Sequence, residues 1–156
     1  MTENSDGGPI VNHVGLTTED LDRAIGFYTA AFGFALERRL EIPDSAAAPL
    51  LAVDAPVGLE VAYMRRGPFV LELMQFRRST NPGWSKRVFN EPGLTHISVS
   101  VGDLDAAAEL VVAHGGQVVN RHPFAVIVRD PDGQLLELLT LEYRRRIDAE
   151  AVERGR

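Results

Sequence analysis

Two histidines and two glutamates have the types and spacing to do chemistry. His13 and His96 are 83 residues apart, and Glu72 and Glu137 are 65 apart. Each glutamate is the centre of a Leu-Glu-Leu triplet, Leu71-Glu72-Leu73 and Leu136-Glu137-Leu138. A carboxylate inside an apolar run is costly to bury unless it meets a cation or a full set of donors. Two imidazoles and two carboxylates brought together suit a borderline divalent ion (Zn, Ni, Co, Fe or Mn) better than Ca. Singly, each histidine reads as a core or edge residue, and Glu72 as the outward side chain of a half-exposed strand. The pairing of like with like is what favours a metal.

That pairing belongs to a wider internal repeat. At the 83-residue offset, Asp20, Leu21, Asp22, Ala24, Ala30 and Gly33 match Asp103, Leu104, Asp105, Ala107, Ala113 and Gly116. The offset then falls to 65 at the Leu-Glu-Leu triplets, so the first half carries 18 additional residues between its His and its Glu. The excess falls around Ile42–Val57, which holds Pro43, Pro49 and Pro56. Repeats of this kind fix the architecture before any single element is assigned.

Each half reads as strand, helix, then three strands. The first half is expected to run Ile10–Leu16, helix Asp20–Phe32, then strands Phe34–Glu41, Gly58–Met64 and Phe69–Phe76. Leu21, Ala24, Ile25, Tyr28 and Phe32 fall on one helical face and read as core. Thr18 is the expected N-cap and Gly33 the stop. The second half is expected to run Leu94–Val101, helix Leu104–Ala113, then strands Gln117–Asn120, Phe124–Val128 and Gln134–Leu141. Asp130-Pro131-Asp132-Gly133 reads as a turn. Strand alternation places His13 with Val11 and Gly15, and His96 with Ser98 and Ser100. Both histidines thus face away from the β-branched side, toward small residues such as line a cavity. Glu72 shares a face with Val70, Met74 and Phe76, and Glu137 with Leu135, Leu139 and Leu141.

The expected organisation is a disordered stretch 1–9, one domain over 10–141, and a charged tail or frayed helix over 142–156. Within the domain, module one spans 10–76, a polar linker 77–93 and module two 94–141. The 156 residues include no cysteine, which excludes disulfides, thiolate metal sites and cysteine nucleophiles. The net charge of −6 argues against nucleic acid as a partner. No apolar run approaches the roughly 20 residues of a membrane span. The polar N-terminus lacks a signal-peptide pattern. A cytoplasmic protein with no membrane partner is expected.

Several segments together resemble a known family. They are Val11-Asn12-His13-Val14-Gly15-Leu16, Ala24-Ile25-Gly26-Phe27-Tyr28 with Phe32-Gly33-Phe34, Leu71-Glu72-Leu73, Leu94-Thr95-His96-Ile97, and Asp130-Pro131-Asp132-Gly133 with Leu136-Glu137-Leu138. Over roughly residues 10–141 the chain resembles the vicinal oxygen chelate superfamily, which includes glyoxalase I, methylmalonyl-CoA epimerase and extradiol dioxygenases. Fosfomycin-resistance and bleomycin-binding proteins also belong to it. The resemblance implies an α+β fold of two βαβββ modules forming a cupped mixed sheet. It also implies that His13, Glu72, His96 and Glu137 occupy the four metal-ligand positions. Glutamate at position 72 is similar to glyoxalase I, whereas the epimerase usually has glutamine there and the dioxygenases have no ligand.

The resemblance implies a metal-dependent lyase or isomerase, glyoxalase I-like or epimerase-like, that removes a proton α to a carbonyl. One divalent metal (Ni, Co, Zn or Mn, with Fe less suited) acts as Lewis acid toward the enediolate or enolate. Glu72 or Glu137 is the base. The implied partner is a small molecule with vicinal oxygens, or a carbonyl thioester or thiohemiacetal, and a homodimer is implied too. Two other readings remain: an Fe(II) ring-cleaving dioxygenase, and a non-catalytic drug- or metabolite-binding protein. The paired arginines Arg38-Arg39, Arg65-Arg66 and Arg77-Arg78 read mostly as solvated surface, or one of them as a grip on an anionic substrate. His114 reads as a helix-end residue and His122 as polar surface. Trp84 reads as a lid over the cup or a dimer contact.

Overall fold

The computed structural model describes residues 9–78 and 88–154, so Trp84 and most of the 77–93 linker lie outside the described residues. The first half forms β1 (Val14–Thr17), α1 (Leu21–Phe32), β2 (Ala35–Ile42), α2 (Asp44–Leu51), β3 (Leu59–Arg66) and β4 (Phe69–Phe76). The second forms β5 (His96–Val101), α3 (Leu104–Ala113), β6 (Gln117–His122), β7 (Ala125–Arg129), β8 (Leu135–Thr140) and α4 (Leu141–Arg154). Two four-stranded mixed sheets result, ordered β1-β4-β3-β2 and β5-β8-β7-β6. In each, the first strand runs parallel to the last and the other neighbours are antiparallel. This is the expected α+β repeat.

The chain divides into two compact units, Met1–Leu21 with Ala35–Ser79, and Asp22–Phe34 with Thr80–Arg156. Most of α1 thus groups with the second unit, although it lies in the first half of the sequence. Two contacts show why. The Tyr28 hydroxyl donates to Asp130 Oδ2 at 2.9 Å, and Arg23 pairs with Asp132. Asp130 Oδ1 also accepts from the backbone N–H groups of Asp132 and Gln134. The Asp-Pro-Asp-Gly segment is therefore a turn, as read, and also an anchor for α1. Burial raises the pKa of both members of the Tyr28–Asp130 pair.

Most elements fall within two residues of expectation, with β5 opening at His96 rather than Leu94 and β6 running on to His122; the departures with a clear physical cause are these. β1 starts at Val14 because its ladder with β4 begins at the Val14–Leu71 pair. His13 therefore sits one residue before the strand. The 18-residue excess folds into α2, closed at its base by Asp44 Oδ1, which accepts from the N–H groups of Val57 and Gly58. β8 ends at Thr140, whose hydroxyl accepts from Tyr143 N at 3.1 Å and opens α4 one residue beyond. α4 buries none of its residues and is braced by i,i+4 pairs such as Arg144–Asp148 and Arg154–Glu150.

The repeated glycines also differ in purpose. Gly33 ends α1 at φ +66°, a left-handed conformation that favours glycine. After α3 that role passes to Gly115, at φ +89°. A Cβ on Gly116 would lie 2.6 Å from the Arg129 carbonyl oxygen, so close backbone approach requires glycine there.

Candidate active site

Each unit holds one histidine–glutamate pair, built by the same register. In the first, Glu72 lies in the middle of β4, with Gly15 of β1 on one side and Tyr63 of β3 on the other. His13, two residues before Gly15, reaches back so that its Nε2 stands 3.0 Å from Glu72 Oε2. A Cβ on Gly15 would sit 3.1 Å from the Met74 methyl and 3.7 Å from Glu72 Oε2. Glycine there leaves room beside the carboxylate. Tyr63 presents its ring to His13 edge-on, with centroids 5.7 Å apart. Hydrogen bonding to Glu72 is the main cause that lifts the Tyr63 phenol above its usual range.

In the second unit, Glu137 of β8 faces Ser98 of β5 and Ile127 of β7. His96 opens β5, and its Nε2 stands 3.7 Å from Glu137 Oε2. Its other ring nitrogen, Nδ1, is 2.8 Å from Thr95 Oγ1. That contact orients the ring with Nε2 toward the carboxylate. Phe89 packs on the His96 ring at 5.1 Å. In β5 His96 shares the face of Ser98 and Ser100, as alternation predicts; His13 precedes β1, and its approach to Glu72 is what sets it on the Gly15 side.

The geometry therefore pairs His13 with Glu72 and His96 with Glu137. Among the described residues, no group of three or more His, Asp or Glu side chains is placed to hold a metal ion. Each pair offers one imidazole nitrogen and one carboxylate oxygen, a two-donor half-set whose chemistry fits a borderline divalent ion.

The other residues singled out in the sequence lie elsewhere. His114 caps α3, with Nδ1 2.9 Å from the Leu110 carbonyl oxygen. His122 packs against Phe124 at 4.2 Å. Arg39 and Arg77 both hold Glu60, and Arg65 holds Glu37. Arg38 is different, for it lies over the Tyr63 ring with its guanidinium carbon 4.8 Å from the centroid. Nothing local in the sequence marks Tyr63. Its signal was present only in the pairing of β3 with β4, which no local pattern reveals.

A family model described as Glyoxalase/Bleomycin resistance protein/Dioxygenase superfamily matches residues 10–138. A 2-epi-5-epi-valiolone epimerase of Actinomyces sp is 32% identical over 157 residues, covering 86% of this chain and 81% of that protein. A lactoylglutathione lyase of Arabidopsis thaliana is 33% identical over 139 residues, which cover 81% of this chain but 42% of that protein. Among solved structures, the trypanothione-dependent glyoxalase I of Leishmania major aligns with a TM-score of 0.68 at 24% identity, covering 92% of this chain and 95% of that one. A glyoxalase family protein of Bacillus cereus aligns with a TM-score of 0.73 at 23% identity, covering 83% and 92%. These two structural likenesses concern the fold. With the repeat, the paired sheets and the matched span in agreement, the chain belongs to the glyoxalase/bleomycin resistance protein/dioxygenase superfamily.

Proposed function

We propose that this protein is a metal-dependent enzyme that moves a proton α to a carbonyl, as an epimerase or a glyoxalase-type lyase. The observation that carries the reading is the recurrence of one His–Glu pair in each unit, His13–Glu72 and His96–Glu137. A binding protein has no need to keep both pairs in matched register. Relatives named epimerase and lactoylglutathione lyase support the same class of reaction.

In this reading His13, Glu72, His96 and Glu137 hold one divalent transition metal, Ni, Co, Zn or Mn. The bound ion would supply Lewis acidity to the substrate's oxygens. The protein's own share is to place carboxylates beside the carbon that loses its proton. In a glyoxalase-type isomerisation Glu72 or Glu137 takes that proton and returns it to the neighbouring carbon; in an epimerisation one of them takes it and the same carbon is reprotonated on its opposite face, a step the other glutamate can serve. Gly15, Ser98 and Ser100 leave room on those faces for a small molecule. The four-ligand set counts against a ring-cleaving dioxygenase, which needs an open facial triad. A homodimer working in the cytoplasm is part of the proposal.

Elemental analysis of the purified chain tests the metal, and deuterium uptake at carbon α to the carbonyl of candidate hydroxyketones and thiohemiacetals tests the reaction. About one transition metal per chain is expected. A chain that takes up no metal on reconstitution defeats the reading.

A further inference from the structure

Arg38 stands in the same cross-strand row as Glu72. Arg38 pairs with Tyr63 across β2 and β3, and Tyr63 pairs with Glu72 across β3 and β4. A β-bulge sets this row. The register passes from the Leu36–Met64 pair directly to Arg38–Tyr63, which leaves Glu37 as the additional residue. Without the bulge, Glu37 would face Tyr63 and the row would end in an acid. Bulges are a recurrent means of re-aiming a side chain beside a site. Here the bulge turns a cation toward the Glu72 face.

Three neighbouring arginines of this sheet are already committed, Arg39 and Arg77 to Glu60, and Arg65 to Glu37. Arg38 is exposed and, among the described residues, has no acidic partner; the Tyr63 ring is what holds it. A guanidinium held over an aromatic ring is restrained before any ligand arrives. Its N–H groups remain able to meet an acceptor, with a geometry suited to a carboxylate. The corresponding row of the second unit is Asn120, Ile127 and Glu137, which carries no cation. Of the two rows, only the first therefore carries a cation.

We propose that Arg38, propped on Tyr63, is the carboxylate-recognition residue of the site, so that the substrate is a carbonyl compound bearing a carboxylate. The single guanidinium of the row matches a monoanion better than a phosphate dianion. Arg38 and Glu72 are separated by two strand spacings, about 10 Å between backbones. The two side chains reach inward from those ends, toward the acid group and the reacting carbon respectively. The assignment rests on Glu72 belonging to the active site, and its test separates the two.

The probes are 4-oxopentanoate and its methyl ester, which differ in the one charge, with the metal-loaded full chain. Affinity is read from shifts of the backbone N–H signals of β2 and β3 by NMR, a readout that wild type and variants share, and proton transfer from deuterium uptake at C3 in the same samples. The acid is expected to bind about tenfold or more tighter than the ester, as for loss of one charge-assisted hydrogen bond. Arg38→Gln, an exposed substitution that leaves the core intact, should abolish that preference, and Arg145→Gln on α4 should leave it unchanged. An acid that binds no better than the ester, or a preference that survives in Arg38→Gln, overturns the proposal. A preference lost in Arg38→Gln, with no deuterium uptake from either probe, upholds the carboxylate site and removes support from the proton-transfer reading instead.

Discussion

The rows that carry the two glutamates are built alike and furnished differently. In the first unit the row runs Arg38, Tyr63, Glu72, Gly15, and in the second Asn120, Ile127, Glu137, Ser98. Both contain a bulge at the same place, since the second register skips Val119 as the first skips Glu37. The backbone solution was kept while the side chains diverged. One carboxylate shares its row with a phenol and a guanidinium, and the other with an isoleucine and an amide. Two glutamates in such unlike surroundings are poorly suited to identical roles.

The faces differ further along. In the first unit, α2 lays Ala47 onto Val57, Leu59 and Val61, with Met74 and Phe76 packed around them. The face that carries Glu72 is thus part core and part site. Among the described residues, the second unit has no counterpart of α2. Its matching face keeps Ile127 and Leu139 only partly buried. The insertion that the repeat offset revealed is therefore a cover for one half of one face.

The comparison can be broken most severely at the histidines. His13→Ala and His96→Ala are each expected to cut bound metal from about one ion per chain to under a tenth, by elemental analysis, while far-UV dichroism stays unchanged. Loss in one variant alone would show that the pairs do not act together. Next come the glutamates: Glu72→Gln and Glu137→Gln should both lower kcat, the true base by about 100-fold or more. The variant with the smaller kcat loss identifies the glutamate that is chiefly a ligand.

Packing follows. Leu59→Ala should cost about 3 kcal/mol in urea unfolding, as expected for a buried leucine. Leu139→Ala, on the uncovered face, should cost about half of that. Equal losses would mean that α2 adds nothing to the first face.

Two shielded carboxylates offer a subtler contrast, one in each unit and shifted in opposite directions. The hydrogen bond from Arg39 is the main cause that lowers the Glu60 pKa, aided by Arg77. Its contribution is present above the unfolded pKa and lost as pH falls through the folded one. Burial raises the pKa of Asp130. The fold therefore favours its protonated form, and that contribution fades as pH rises through the raised value. Urea midpoints measured from pH 3 to pH 7 should show Glu60→Gln approaching wild type as pH falls. Asp130→Asn should gain on wild type as pH rises. The smallest effect is expected from Gly15→Ser, which imitates Ser98. The Met74 methyl is the end of a flexible side chain and can yield, so the loss of stability should stay near or below about 1 kcal/mol.

Much of this was legible in the chain. Identical residues at a fixed offset disclosed the repeat, alternation placed His96 on the face of Ser98 and Ser100, and the Leu-Glu-Leu triplets marked both glutamates; His13 lies before β1, where alternation does not apply. Local pattern was less able to place Tyr63, because an aromatic residue in an apolar strand reads as core. Arg38 read as solvated surface for a similar reason, since a bulge depends on the neighbouring strand. The prolines of 42–57 concealed α2, whose helix is held by packing and by the reach of Asp44 to Val57 and Gly58.

The sequence by itself determined what is periodic or repeated: the two modules, the strand faces and the residue types able to bind a metal. Such features depend on spacing along one chain. Tertiary structure alone decided which residues share a row, that most of α1 groups with the second unit, and that one arginine of six around the first sheet lies over a tyrosine. Those outcomes depend on the register between strands distant in sequence, where a shift of one residue turns a side chain to the opposite face.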